Sequence, residues 1–255
     1  MSTLFIFGHL DAGRAGKFTP GNPDLKVTRD VITMWQLQMQ ENGLLYSLFT
    51  DNHDNNLYIS RVGNDKELRY ESATCIAAMF YLMRGVPFIY QGQEIGMTNT
   101  NWQSVDEFDD LNTVDQYHLA LKAGLSEKDA LDKIGRLSRD NARTPMQWNT
   151  SSNAGFTTGI PWLRLNDNYP DVNVAAQEKD TDSVLNYYKK LIALRKSDTY
   201  KDIFTYGKTI PVFLEKEMLM AYCREKDDKR ILILGNFGEK KEALHLSAEP
   251  KKLLL

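Results

Sequence analysis

The sequence predicts an α/β fold in which a parallel sheet is followed by a small antiparallel one. Up to residue 90, apolar strand-like runs alternate with amphipathic helical runs. That order joins parallel strands through crossover helices. Residues 97–175 break the rhythm with a stretch rich in Asn, Asp, Thr and Trp. From about residue 199, strand-like runs follow one another with short polar connections. Residues 1–198 therefore read as one domain and residues 199–255 as a second, smaller β domain.

The elements follow in order. Leu4–Phe7 reads as a short buried strand, and Gly13, Gly16, Pro20, Gly21 and Pro23 mark a loop. Val27, Val31, Met34, Trp35 and Met39 share one helical face, which Asn42-Gly43 ends. Leu44–Phe49 is a second strand, followed by the polar cluster Thr50–Asn56. Glu67–Arg84 is long, mostly apolar and free of Gly and Pro, which predicts a helix with Gly85 at its C-cap. Val86–Tyr90 is a third strand with Pro87 near its start. A helical hairpin is expected near 113–134. Leu185, Tyr188, Leu191, Ile192 and Arg195 place a further helix over Ser183–Lys196. Thr209–Leu214, Leu219–Arg224 and Arg230–Asn236 then read as antiparallel strands, the last two joined by the turn Glu225–Lys229.

Composition excludes several function classes. The 255 residues carry 31 Lys+Arg and 34 Asp+Glu, a net charge of −3, and 25% are charged. Nucleic-acid binding leaves a basic footprint that this balance lacks. No apolar run approaches the roughly 18 residues that span a bilayer. Leu4–Phe7 is too short for a signal-peptide core and has no basic segment before it. A cytoplasmic protein with reduced Cys75 and Cys223 is the expectation, with Cys75 in the core of its helix. No phosphate-binding or dinucleotide glycine motif, zinc-ligand spacing or G-x-S-x-G element occurs. No metal and no cofactor is expected.

Three clusters concentrate polar side chains. Asp51-Asn52-His53-Asp54-Asn55-Asn56 follows a strand, where parallel sheets bind ligands. A carboxylate and an imidazole there suit sugar hydroxyls and a cationic transition state, although the same composition suits a plain turn. Tyr90-Gln91-Gly92-Gln93-Glu94-Ile95-Gly96 sets an acid among glycines and amides, either as hydroxyl partners or as a solvated turn. Arg139-Asp140-Asn141-Ala142-Arg143 offers forked donors for hydroxyls, or a buried ion-pair network. Trp102, Trp148 and Trp162 are sugar-stacking platforms or loop anchors.

Taken in this order and spacing, the clusters resemble glycoside hydrolase family 13, the α-amylase superfamily, in its oligo-1,6-glucosidase, α-glucosidase and trehalose-6-phosphate hydrolase group. Phe49-Thr50-Asp51-Asn52-His53-Asp54 resembles the strand-7 motif of that family. Gly85 to Asn99 resembles the strand-8 motif. Ser138 to Trp148, with Asn153 to Phe156 and Pro161-Trp162, is similar to the loop after strand 8. Phe5 to Asp11 resembles the strand-6 segment, with Gly8 where Glu is common.

The resemblance implies the C-terminal part of a (β/α)8 TIM barrel, strands 6–8, followed by a partial antiparallel β-sandwich domain. It implies that Asp54 is the transition-state-stabilising carboxylate, that His53 and Arg139 bind glucose, and that Glu94 lines the acceptor side. The substrate class would be short α-glucoside oligosaccharides attacked at the non-reducing end. The family pattern also has departures here. The usual Pro and Arg after Asn-His-Asp are replaced by the run Asn55-Asn56-Leu57. Nothing resembles the nucleophile motif Gly-x-Arg-x-Asp or the acid/base strand. A catalytically incomplete portion of an α-glucosidase is therefore the expectation. The alternatives are a two-chain enzyme completed in trans by the missing N-terminal half, and a non-catalytic sugar-binding module.

Overall fold

The computed structural model describes residues 3–11, 24–246 and 249–255. The loop expected over Gly13 to Pro23 lies outside the described residues. β1 (Thr3–Leu4) leads into a helical turn, α1 (Gly8–Asp11), and α2 (Leu25–Glu41) follows. The Asp24 carboxylate accepts from the Val27 amide and caps α2 at its start. Gly43, at φ 66°, turns the chain out of the helix. β2 (Leu45–Leu48) is buried at all four residues. α3 (Tyr58–Val62) and α4 (Arg69–Tyr81) then return the chain to β3 (Gly85–Pro87). The sheet runs β1-β2-β3, with both pairings parallel. The alternation of strand and helix thus produces the parallel sheet it predicts.

Local details differ from the sequence reading. The first strand is confined to Thr3–Leu4. Beyond that pairing, the carbonyl of Phe49 accepts from the buried ring of His9 at 2.8 Å rather than from backbone. The long helix ends at Tyr81, and Gly85 opens β3 instead of capping α4. Its φ is 148°, and a Cβ there would lie 2.1 Å from the Tyr46 carbonyl oxygen. Glycine is needed because two strands approach closely, a constraint that helix-end patterning does not reveal. Pro87 is the last residue of β3, which pairs only with β2 among the described residues.

α5 (Leu111–Lys122) and α6 (Glu127–Leu137) form the expected hairpin, started by the side chains of Asp110 and Ser126. α7 (Val174–Gln177) precedes α8 (Val184–Lys196), whose inner face is Val184, Tyr188, Leu191 and Arg195. α9 (Lys201–Tyr206) is a short helix that the sequence reading did not anticipate. β4 (Lys208–Pro211), β5 (Leu219–Lys226) and β6 (Lys229–Asn236) make an antiparallel sheet with β5 central. β4 stops earlier than expected, since Pro211 lacks a donor and Phe213 sits at φ 55°.

One hydrophobic core joins the two sheets, from Leu48 and Phe49 through Met79, Tyr81 and Tyr188 to Tyr222 and Ile233. Gly235 lets β6 press on α4, because a Cβ there would meet Met79 and Cys75 within 2.9 Å. Burial pushes the Cys75 thiol up to about 11, so it stays a neutral core group.

Arg195 reaches from α8 to the carbonyls of Tyr81, Met83 and Gly85. It holds the turn that delivers β3. Arg195→Leu should lower stability by about 3 kcal/mol or more, because it leaves buried carbonyls unpaired. Gly85→Ala should cost about 2 kcal/mol or more through clash and backbone strain. Urea unfolding of each variant against the parent checks both values.

Candidate active site

The polar residues after β2 are organised by a turn. Asn52 Oδ1 accepts from the Asp54 amide at 2.8 Å and from the Asn55 side chain at 2.9 Å. Asp51 points inward: its Oδ1 accepts from the Tyr58 amide at 2.6 Å and its Oδ2 from the Thr50 hydroxyl at 2.7 Å. Burial pushes the Asp51 carboxyl up, against the pull of those hydrogen bonds and of Arg61. The cluster is therefore both turn and candidate site. Asn52 shapes the loop, Asp51 fastens it, and Asp54 stands outward with its side chain 52% exposed.

The end of β3 is tied to the same loop. Gln93 Nε2 donates to the Thr50 hydroxyl, and Gln93 Oε1 accepts from Tyr81 Oη at 2.8 Å and from the Tyr90 amide at 3.1 Å. Gly92, at φ 83°, makes the turn that turns Gln93 inward. Glu94 lies on the same turn. One of its carboxylate oxygens, Oε2, is buried without a hydrogen-bonding partner among the described residues. Burial pushes its carboxyl above the usual range, outweighing the backbone N–H groups that oppose the shift.

Asp54, His53, Arg139 and Arg143 come together from segments far apart in sequence. Asp54 Oδ1 lies 3.2 Å from Arg139 Nη1 and 3.5 Å from Arg143 Nη2, and Oδ2 lies 3.2 Å from His53 Nε2. Arg143 Nε also donates to the His53 carbonyl at 3.0 Å. Each arginine has a second, buried acid behind it. Arg139 Nη2 lies 2.7 Å from Asp110, whose side chain is 1% exposed. Arg143 Nη1 lies 3.4 Å from Asp140, which is fully buried. Asp140 also accepts from the amides of Asp109 and Asp110 at 2.9 Å. Burial pushes Asp110 up, but the hydrogen bonds and charge of Arg139 and the Thr113 hydroxyl outweigh it. Its carboxyl therefore titrates below the usual range.

His53, Asp54 and Arg139 thus meet, and no hydrogen bond or ion pair joins Glu94 to them among the described residues. The structure adds Asp110, which the sequence reading missed. Asp110 looks in sequence like an ordinary helix N-cap, and nothing local announces an arginine partner 29 positions away. Asn141 is structural. It accepts from the Thr100 amide and the Trp102 indole, and it donates to the carbonyls of Gly135 and Ser138. Trp102 is a buried anchor packed against Phe108, with ring centroids 4.4 Å apart and planes tilted by 39°, whereas Trp148 and Trp162 are exposed. Among the described residues, no group of His, Cys, Asp and Glu is placed to hold a metal ion.

A parallel sheet crossed by helices defines an α/β protein, and an acid, an imidazole and two arginines gather after its second strand, where such sheets place ligand sites. The chain belongs to the α-amylase family: the model of the α-amylase catalytic domain matches residues 3–207. It is 42% identical to a probable oligo-1,6-glucosidase of Bacillus subtilis, over 94% of this chain and 43% of that one. It is 37% identical to an oligo-1,6-glucosidase of Parageobacillus thermoglucosidasius, over 100% and 46%. A crystal structure of Bacillus licheniformis trehalose-6-phosphate hydrolase superposes with a TM-score of 0.89 at 35% identity, covering 93% of this chain and 42% of that one. The chain spans under half the length of the relatives it matches.

The raised carboxyl of Glu94 gives a pH dependence of defined sign. Between the unfolded value near about 4.3 and the raised folded one, the native state binds more protons, so stability falls as pH rises through that window. Glu94→Gln should remove this decline. Its urea midpoint should match the parent near pH 4 and exceed it at pH 7, as paired denaturation curves at the two pH values would show.

Proposed function

We propose that this chain is a portion of a retaining α-glucosidase that grips the non-reducing glucose of short isomalto- or malto-oligosaccharides. The observation that carries the reading is Asp54, half-exposed, flanked by His53 and held by two arginines. A carboxylate so placed accepts from two adjacent sugar hydroxyls. It also favours the positive charge that builds on the ring in an oxocarbenium-like transition state. His53 and Arg139 donate to neighbouring hydroxyls, and Glu94 lines the acceptor side. The names of the similar proteins, oligo-1,6-glucosidases and trehalose-6-phosphate hydrolases, support an α-glucoside as substrate.

In the same reading, β1, β2 and β3 are strands six to eight of an eight-stranded barrel. The antiparallel sheet begins a β-sandwich domain. Retention of configuration needs a nucleophile and an acid/base carboxylate about 5–5.5 Å apart. In this family those groups come from strands four and five, so the chain alone has the sugar grip without the bond-breaking pair. It is placed in the cytoplasm, a reading supported by its two free cysteines. Among the described residues, no helix is long and apolar enough to cross a membrane.

Two measurements test this reading. Calorimetric titration with isomaltose should show millimolar binding, weakened about tenfold or more by Asp54→Ala through loss of charge-assisted hydrogen bonds. Hydrolysis of p-nitrophenyl α-glucoside by the chain alone should not exceed that of the same variant. Absence of sugar binding, or Asp54-dependent turnover by the chain alone, would overturn the proposal.

A further inference from the structure

A small cavity is lined by residues that fasten the candidate site. Its volume is about 20 Å³, and its polar lining residues are Asp51, Gln93 and Tyr188. They come from three places in the chain: Asp51 follows β2, Gln93 follows β3 and Tyr188 belongs to α8. All three are more than nine-tenths buried, at 7%, 8% and 2% exposed. The rest of the lining is apolar and includes Ala73 and Ile76 of α4. Each polar group has hydrogen-bonding capacity left over. Gln93 Nε2 spends one N–H on the Thr50 hydroxyl and keeps a second. Asp51 accepts one hydrogen bond on each carboxylate oxygen and can accept more. The Tyr188 hydroxyl makes no hydrogen bond to a protein group among the described residues. Burial and the neighbouring Tyr81, Asp51 and Glu94 push its ionisation well above the usual range, so it stays a donor.

A buried hydroxyl without a partner is costly, and buried tyrosines usually find one. A water needs about 10–15 Å³ of space and two to four polar partners, and this cavity offers both. An ion does not fit it, because the Gln93 N–H repels a cation and the Asp51 carboxylate repels an anion. We infer that the cavity binds one water, which accepts from Tyr188 Oη and Gln93 Nε2 and donates to Asp51, and that Tyr188 is thereby a positioning residue of the candidate site. Asp51 accepts from the Tyr58 amide at 2.6 Å and so fastens the loop that carries His53 and Asp54. Gln93 is held in turn by Tyr81 Oη and the Tyr90 amide. The water adds α8 to this set of ties and fixes the Asp51 carboxylate from a third direction. Its effect on sugar binding rests on the proposed α-glucosidase reading, whereas its effect on the loop does not.

A high-resolution crystal structure of the chain should show one ordered water within about 3.2 Å of Asp51, Gln93 and Tyr188. Tyr188→Phe removes one of its partners. Hydrogen exchange of the Tyr58 amide, read relative to the core amides of β5, should then speed up about fivefold, the factor expected for one hydrogen bond. Isomaltose affinity should fall by a similar factor. Ala73→Val fills the cavity from α4 with Tyr188 intact and should reproduce both effects, so the test does not hang on the folding of one variant. Ile76→Val trims the apolar wall and touches no hydrogen bond. It should lower the urea midpoint yet leave the relative exchange and the affinity unchanged. A dry cavity, or a water that misses Tyr188, would overturn the inference. A water that is present while Tyr58 exchange in Tyr188→Phe stays at the parent rate would overturn the positioning role, and so would an equal effect of Ile76→Val. If the parent binds no isomaltose, the glycosidase reading falls, and the exchange of the Tyr58 amide still decides this one.

Discussion

The alternation of charge from Asp110 to Arg139, Asp54, Arg143 and Asp140 holds three distant segments in one geometry. Its strength comes from its buried ends. An exposed ion pair contributes little, because water screens it and the side chains lose freedom. Asp110 and Asp140 are out of water, so each requires a partner, and removing that partner would strand a buried charge. Arg139 and Arg143 are therefore fixed from behind, and Asp54 meets donors whose orientation is already set. Such preorganisation lets a half-exposed carboxylate keep one position. The α5–α6 hairpin earns its place by presenting Asp110 as the N-cap of α5.

The scaffold beneath uses the opposite arrangement. Arg195, Arg224 and Arg84 bond to backbone carbonyls rather than to acids. Arg224 donates to the last turn of α9 through the carbonyls of Ile203 and Phe204, and Arg195 to the end of α4 through that of Tyr81. Helix C-termini carry partial negative charge and unpaired carbonyls, so a guanidinium there satisfies both. Burial nevertheless pulls Arg195 down to about 10 and Arg224 to about 9, which leaves both charged at neutral pH. Carbonyl-held arginines fasten helix to strand and strand to turn, while the acid-held arginines serve the site.

Elements with a strong period were legible in the sequence. The inner face of α8 falls where the spacing of Tyr188, Leu191 and Arg195 places it, and β2 falls within the expected Leu44–Phe49. Elements governed by distant contacts were not. Gly85 looked like a helix cap because glycine is common there, yet its role is to let β3 pass the Tyr46 carbonyl. α9 is too short for periodicity to register, since six residues give fewer than two turns. Within the candidate site, the Asn52–Asp54 turn is local and was readable from composition. The pairing of Asp110 with Arg139 depends on how the hairpin folds back, and no local pattern carries it.

The candidate site is held by ties of two ranges. Its turns close locally, Asn52 with Asp54, Ser138 with Asp140, and Gln93 with Tyr90. Its long-range ties, Arg139 to Asp110 and Tyr90 to the Ala142 carbonyl, also lie within the chain. In the sheet that carries the site, β1 and β3 each pair on one side among the described residues. Every direct tie of the candidate site lies within residues 50–143, so its geometry is set independently of what pairs with the outer edges of the sheet.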